Sequence, residues 1–229
     1  MHSTSIFWAG DSTVQYNSIL TYPQAGMGQA LHLYLKPEVK VCNHAINGRS
    51  TKSFIDQKRL EKIKSEISEG DFLFIQFGHN DEKESDPLRY TTPFGTYADN
   101  LEIFIDAALE NGAYPVLITP IERRCFEADG KLGPGKHADY VKSMKQVAAK
   151  RGVPCIDLYT RSREILNELG PDEAKSLHVV VPAGVYPHFP DGKDDETHLC
   201  YSGAVRYCGV IAEELKKLGG IYKDILLDF

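Results

Sequence analysis

Ile6-Phe7-Trp8-Ala9 is a short, unbroken apolar run that ends in Gly10-Asp11-Ser12-Thr13. An apolar run of this length closed by turn residues predicts a buried strand. Over residues 26–35 the spacing changes. Met27, Ala30, Leu31, Tyr34 and Leu35 recur at helical intervals and Pro37 stops them, which predicts a helix. Residues 39–43 predict a second strand. Residues 50–68 predict one amphipathic helix, with Phe54, Leu60, Ile63 and Ile67 inward and Gly70 as the C-cap. The run 71–77 is apolar almost throughout, as expected at the centre of a parallel sheet. A helix follows over 97–111, with Leu101, Phe104, Ile105, Ala108 and Leu109 on one face. Strands are predicted at 114–119 and 153–158, and further helices at 138–150, 161–169 and 203–218. Proline and glycine mark three loops, 82–93, 121–135 and 179–196.

A strand-then-helix unit repeated five times predicts an α/β fold, a parallel sheet covered on both faces. No shift of composition and no internal repeat divides residues 1–229, so one domain is expected. In such a sheet ligands bind outside the carboxyl ends of the strands, and the three loops are expected to gather there.

Composition narrows the classes. The chain is 42% hydrophobic and 25% charged, the profile of a soluble globular protein. No apolar stretch approaches the ~18 residues of a membrane span. A net charge of −6 counts against a nucleic-acid or anionic-membrane partner. Met1-His2-Ser3-Thr4-Ser5 has no basic region before an apolar run, so no signal peptide is expected. The five cysteines form no close pairs and no Cys-x-x-Cys, so neither a disulfide framework nor a zinc site is expected. Cys42 and Cys155 lie in apolar runs and are expected to be buried. A reducing, cytoplasmic location fits this usage.

The candidate chemistry lies at strand ends. The first strand leads into Gly10-Asp11-Ser12, the second into Asn43-His44-Ala45-Ile46-Asn47-Gly48-Arg49-Ser50, and the third into Gly78-His79-Asn80-Asp81. Asp195-Glu196-Thr197-His198 stands just before the last helix. Together these supply the parts of an acyl-transfer site. Ser12 is the candidate nucleophile, and a serine hydroxyl needs a base to take its proton. His198 is the candidate base, and Asp195, three residues away on one short turn, can orient its ring. The backbone N–H groups of Ser12 and Gly48 and the side-chain amide of Asn80 are candidate oxyanion donors.

Each piece has a plainer reading. Ser12 can be a helix N-cap, Asp195 a favourable acid ahead of the last helix, and Asn80 a turn residue. Asp11 is expected to accept a hydrogen bond inside the first turn and hold the Ser12 loop. His79 is open between packing and substrate contact. Arg49 is open between starting a helix and pairing with an acidic substrate. His44 and His188 have no expected partner. The loop aromatics Tyr90, Phe94, Phe126, Tyr186 and Phe189 are open between sugar stacking and packing. A solvated acidic loop explains Asp194-Asp195-Glu196 better than a metal site does.

The four pieces, in this order and across almost the whole chain, resemble the four blocks of the SGNH (GDSL-like) hydrolase superfamily. The family letters fall on Ser12, Gly48, Asn80 and His198, with the acid at Asp195. Gly10-Asp11-Ser12-Thr13, Asn47-Gly48-Arg49-Ser50 and Gly78-His79-Asn80-Asp81 resemble its rhamnogalacturonan acetylesterase branch. The resemblance implies a three-layer flavodoxin-like fold with five parallel strands in order 2-1-3-4-5. It also implies ester hydrolysis without metal or cofactor. The expected activity is therefore a serine esterase that deacetylates carbohydrate, with pectin-derived oligosaccharide as substrate. Three alternatives differ in testable ways. A thioesterase or lysophospholipase needs an apolar acyl channel. A two-metal phosphoesterase needs more ligands than Asp11 and its neighbours offer. A carbohydrate-binding module needs no triad.

Overall fold

The computed structural model describes residues 4–228. The leader-peptide reading of Met1, His2 and Ser3 therefore lies outside the described residues. Five strands, β1 (Ser5–Gly10), β2 (Lys40–Asn43), β3 (Phe72–Gln76), β4 (Tyr114–Ile118) and β5 (Cys155–Ile156), form one parallel sheet in the order β2-β1-β3-β4-β5. The helices are α1 (Thr51–Asp56), α2 (Arg59–Glu66), α3 (Ala98–Leu109), α4 (Ala138–Arg151), α5 (Leu158–Glu173), α6 (Tyr201–Leu218) and α7 (Gly220–Asp224).

Side chains alternate across a strand, so a sheet covered on both faces needs apolar residues at successive positions. Ile6, Trp8, Phe72, Phe74, Val116 and Ile118 enter one core with residues of α5 and α6. Phe7, Ala9, Leu73, Ile75 and Leu117 enter the other with residues of α1 to α4. β1 and β3 end level, Gly10 opposite Gln76, and β2 ends with Asn43 opposite Trp8. The segments after these three strands thus leave the sheet along one edge. The chain after β2 continues beside β1, since His44 N donates to Trp8 O at 2.9 Å and Ile46 N to Gly10 O at 3.2 Å.

Several elements differ from the periodicity. Residues 26–35 form two 3-10 turns, Met27–Gln29 and Leu31–Tyr34, rather than an α-helix. Their backbone is committed elsewhere: Met27 N donates to Thr13 O at 2.9 Å and Gly28 N to Val14 O at 3.0 Å. A Cβ on Gly28 would lie 2.7 Å from Val14 O, so glycine permits this close approach. The expected helix over 50–68 is two helices, because Lys58 adopts a left-handed φ of 56° between α1 and α2. β5 is only two residues long, since Asp157 caps α5 by accepting from Thr160 N at 3.2 Å. The expected loop 179–196 carries an antiparallel hairpin, β6 (His178–Val181) with β7 (Lys193–Leu199). Cys42 and Cys155 are only part-buried, whereas Cys208 is fully enclosed. His44 has a partner after all, with Nε2 3.2 Å from Glu66.

Candidate active site

Ser12 lies in the turn that leaves β1. Val14 N and Gln15 N both bond Asp11 O, at 3.2 and 3.0 Å. The Asp11 carboxylate accepts from Thr13 N and Thr13 Oγ1, each at 2.9 Å. Asp11 is buried, and that burial raises its pKa against the lowering effect of the Thr13 bonds. It holds the turn without touching the serine hydroxyl. Ser12 is 7% exposed.

β7 brings the other two polar groups. Asp195 Oδ1 accepts from Thr197 N at 2.8 Å and from His198 N at 2.7 Å. Its Oδ2 lies 2.9 Å from His198 Nδ1. Both residues belong to β7 and not to a free loop, with the Asp195 carboxylate turned back over the backbone of residues 197 and 198. Burial opposes the charge on Asp195, but the bonds from His198 and these N–H groups outweigh it and hold the carboxyl well below the usual range. An ionised carboxylate only accepts, so Nδ1 carries the ring proton and Nε2 is left to accept. His198 Nε2 stands 3.0 Å from Ser12 Oγ. Ser12, His198 and Asp195 thus form a continuous hydrogen-bonded chain across 186 residues of sequence.

Gly48 and Asn80 follow β2 and β3, the two neighbours of β1 in the sheet. Gly48 has φ 72°, a conformation that favours glycine. Asn80 Nδ2 donates to Arg49 O at 3.1 Å, and Asn80 Oδ1 accepts from Arg89 Nη1 at 3.3 Å. These contacts fix which way the amide points and leave one amide N–H unused. Among the described residues, no protein acceptor takes the backbone N–H of Ser12 or Gly48. Asp81 ties the two loops together. It accepts from Thr51 N and Oγ1 at 3.0 and 2.6 Å and from Thr91 Oγ1 at 3.0 Å. Burial pushes its carboxyl up to about 7, partly offset by those bonds. Ser50 caps α1, its Oγ accepting from Ser53 N at 3.1 Å, so Arg49 stands outside the helix.

His79 is buried, its ring edge-on to His137 at 4.3 Å between centroids. As placed it faces protein, not solvent. Behind it lies a polar wall that the sequence did not single out. His137 Nδ1 is 2.6 Å from Glu82 Oε2, and Arg123 Nη2 donates to Glu82 Oε1 at 2.7 Å. Burial raises the Glu82 pKa, but the contacts with His137 and Arg123 overcome it and lower it. Arg123 Nη1 also donates to Thr197 Oγ1 at 3.1 Å, Arg124 N donates to Glu196 O at 2.8 Å, and the Arg124 side chain pairs with Asp194. The segment after β4 thus braces the strand that carries Asp195 and His198. The only signal for it was the charged run Glu122-Arg123-Arg124 inside an expected loop. Of the loop aromatics, Tyr186 packs at a tilt against Tyr22, with ring centroids 5.5 Å apart, and Phe94 lies exposed beneath Lys142.

A nucleophile-sized hydroxyl, an imidazole and a carboxylate in line, at the carboxyl edge of a 2-1-3-4-5 sheet, define a flavodoxin-like hydrolase architecture. Residues 9–188 match the model of the GDSL-like lipase/acylhydrolase family, and the chain belongs to that family. It is 39% identical to the rhamnogalacturonan acetylesterase RhgT of Bacillus subtilis (strain 168), over 97% of this chain and 94% of the relative. It is 38% identical to a second Bacillus subtilis protein, named as a probable rhamnogalacturonan acetylesterase, YesY, over 93% of each chain. The crystal structure of protein YxiM from Bacillus subtilis superposes with a TM-score of 0.80 at 25% identity. That match covers 95% of this chain, which spans 57% of the length of YxiM.

Proposed function

We propose that the protein is a serine esterase that removes acetyl groups from rhamnogalacturonan-type oligosaccharide through an acetyl-enzyme on Ser12. The observation that carries this reading is the chain from Ser12 Oγ through His198 to Asp195, at 3.0 and 2.9 Å. The acetylesterase relatives supply the acyl group and the class of sugar.

In this reading Ser12 Oγ attacks the acetyl carbonyl carbon while His198 Nε2 takes its proton. The imidazolium that forms is stabilised by ionised Asp195. The tetrahedral oxyanion is met by the N–H groups of Ser12 and Gly48 and by the unused Asn80 N–H. On collapse, the C–O bond to the sugar breaks and the sugar oxygen takes the proton from His198. Water then attacks the acetyl carbon of acetyl-Ser12 and gives a proton to His198 Nε2; the bond from that carbon to Ser12 Oγ breaks, Oγ takes the proton back from His198, and acetate leaves.

Residues 1–229 act in this reading as one hydrolase unit. The five free thiols favour a reducing, cytoplasmic setting. No helix among the described residues is long and apolar enough to cross a membrane. The test is acetate release from a panel of acetylated oligosaccharides, with Ser12→Ala as control. The expected result is release from acetylated rhamnogalacturonan fragments by the wild type and almost none by the variant. Equal release by both overturns the assignment.

A further inference from the structure

Three guanidinium groups gather beside Gly48 and Asn80. Arg49 directly follows Gly48, and its carbonyl receives the Asn80 amide. Arg49 Nε donates to Gln57 Oε1 at 2.7 Å, and Arg59 Nε reaches that same oxygen at 3.3 Å. Arg89 Nη1 bonds Asn80 and lies 3.4 Å from where a Cβ on Gly48 would stand. Arg89 is neutralised by Asp86. Arg49 and Arg59 are not: among the described residues no carboxylate pairs with either, and they share one neutral acceptor. Burial and the like charges of Arg59 and Arg89 lower the Arg49 pKa.

In a chain of net charge −6 the other arginines, Arg206 apart, pair with acids. Arg151 takes both Glu102 and Asp106, Arg163 takes Glu122, and Arg161 takes Glu164. Both part-exposed cations rest on neutral acceptors alone, Gln57 Oε1 for the two and Asn47 O for Arg49 Nη1 at 2.9 Å, so an anion joining them relieves their mutual repulsion. The free N–H groups are Arg49 Nη2 and the Nη atoms of Arg59, in the planar fork that suits a carboxylate. Arg49 follows Gly48 in the loop after β2, and Arg59 at the start of α2 meets it on Gln57, so the charge sits beside Gly48 and Asn80, the candidate oxyanion side of Ser12.

We infer that Arg49 and Arg59, with Arg89 at their flank, form a subsite for the carboxylate of a uronic-acid residue in the acetylated substrate. The inference rests on the esterase reading and refines it: the enzyme selects an acidic sugar over its neutral counterpart. The carboxylate replaces like-charge repulsion with charge-assisted hydrogen bonds, and it holds the sugar so that the acetyl group faces Ser12.

The test compares kcat/KM on an O-acetylated galacturonate oligosaccharide with that on its methyl ester, which keeps the shape and removes the charge. 4-Nitrophenyl acetate, which has no sugar, reports the esterase chemistry itself. The wild type is expected to prefer the acid by about tenfold or more, the scale of one charge-assisted hydrogen bond, mainly through KM. The preference is expected to shrink with added salt. In the Arg49→Gln/Arg59→Gln double variant the acid-to-ester ratio falls close to one. The ratio cancels any general loss of activity. Arg59→Gln alone, with no bond to the Asn80 loop, keeps the test valid if the double variant does not fold, and its ratio falls part of the way. A wild-type ratio near one, or a ratio unchanged by these substitutions, overturns the subsite while 4-nitrophenyl acetate turnover leaves the esterase reading standing. Absence of turnover on all three substrates overturns both.

Discussion

Replacing Asp195 by Asn changes one atom and, in this site, the direction of two protons. In the wild type Oδ1 accepts from two backbone N–H groups at 2.8 and 2.7 Å, and Oδ2 faces His198 Nδ1 at 2.9 Å. An amide has only one acceptor oxygen. The two backbone donors are fixed in the chain and claim it, so the NH2 turns toward Nδ1. Two donors cannot face each other, and the imidazole answers by moving its proton to Nε2. Nε2 then meets Ser12 Oγ as a donor and can no longer take the serine proton. Losing the correct tautomer in a triad costs about 10⁴ in kcat, which at 1.36 kcal/mol per decade is about 5.4 kcal/mol of barrier. The assay is steady-state turnover of 4-nitrophenyl acetate, with KM expected to change little because His198 stands between Asp195 and Ser12. Because the two backbone bonds survive, the variant is expected to stay folded. The wild-type carboxyl is held below its ordinary pKa, so it stabilises the fold above that value, and its contribution fades as the pH falls through the lowered pKa. Asp195→Asn is therefore expected to flatten the acid limb of the melting-temperature profile. A folded Asp195→Asn variant with kcat within about tenfold of wild type refutes the tautomer argument.

Three other outcomes follow from the same geometry. Asn80→Ala is expected to lower kcat by about 10²–10³, near 2.7–4 kcal/mol, with little change in KM; Asn80→Asp should be at least as harmful, and a folded Asn80→Ala enzyme of near-normal kcat excludes Asn80 as an oxyanion donor. Burial raises Asp81 to about 7, so its protonated form favours the fold below its ordinary value, and that stability is lost as pH rises through about 7; thermal melts should show the decline in wild type and not in Asp81→Asn. Activity on aryl esters is expected to fall as the acyl chain lengthens from acetyl to octanoyl, and a steady rise to octanoyl points to a lipase or thioesterase instead.

The parallel sheet was legible because its central strands are buried on both faces and read as unbroken apolar runs, Phe72–Gln76 above all. Ser12, Gly48, Asn80 and His198 were legible because each stands in a short block beside a strand end or before the last helix. What escaped was set by contacts between distant segments. The 3-10 turns at Met27–Gln29 and Leu31–Tyr34 carry helical spacing, yet the N–H groups of Met27 and Gly28 are drawn to Thr13 and Val14. The hairpin β6–β7 pairs residues across a stretch rich in proline and glycine, which local periodicity reads as loop. Arg123 and Glu82 meet only after β3 and β4 are side by side, 41 residues apart in sequence. The pairing of Arg49 with Arg59 on Gln57 likewise exists only after the chain breaks at Lys58, where the apolar period continued undisturbed.

In the proposed mechanism acetyl transfer passes through the Ser12 oxygen. Rapid acid quench during turnover of an acetyl ester, followed by peptide mass spectrometry, tests it directly. A His198→Ala variant serves as control, because it lacks the base that makes the intermediate. The expected result is a wild-type peptide containing Ser12 that gains the mass of one acetyl group transiently, with fragment ions placing it on Ser12 and no such gain in the control. Undiminished turnover in Ser12→Ala, or a transient acetyl group on another residue while Ser12 stays unmodified, contradicts an acetyl-enzyme on Ser12.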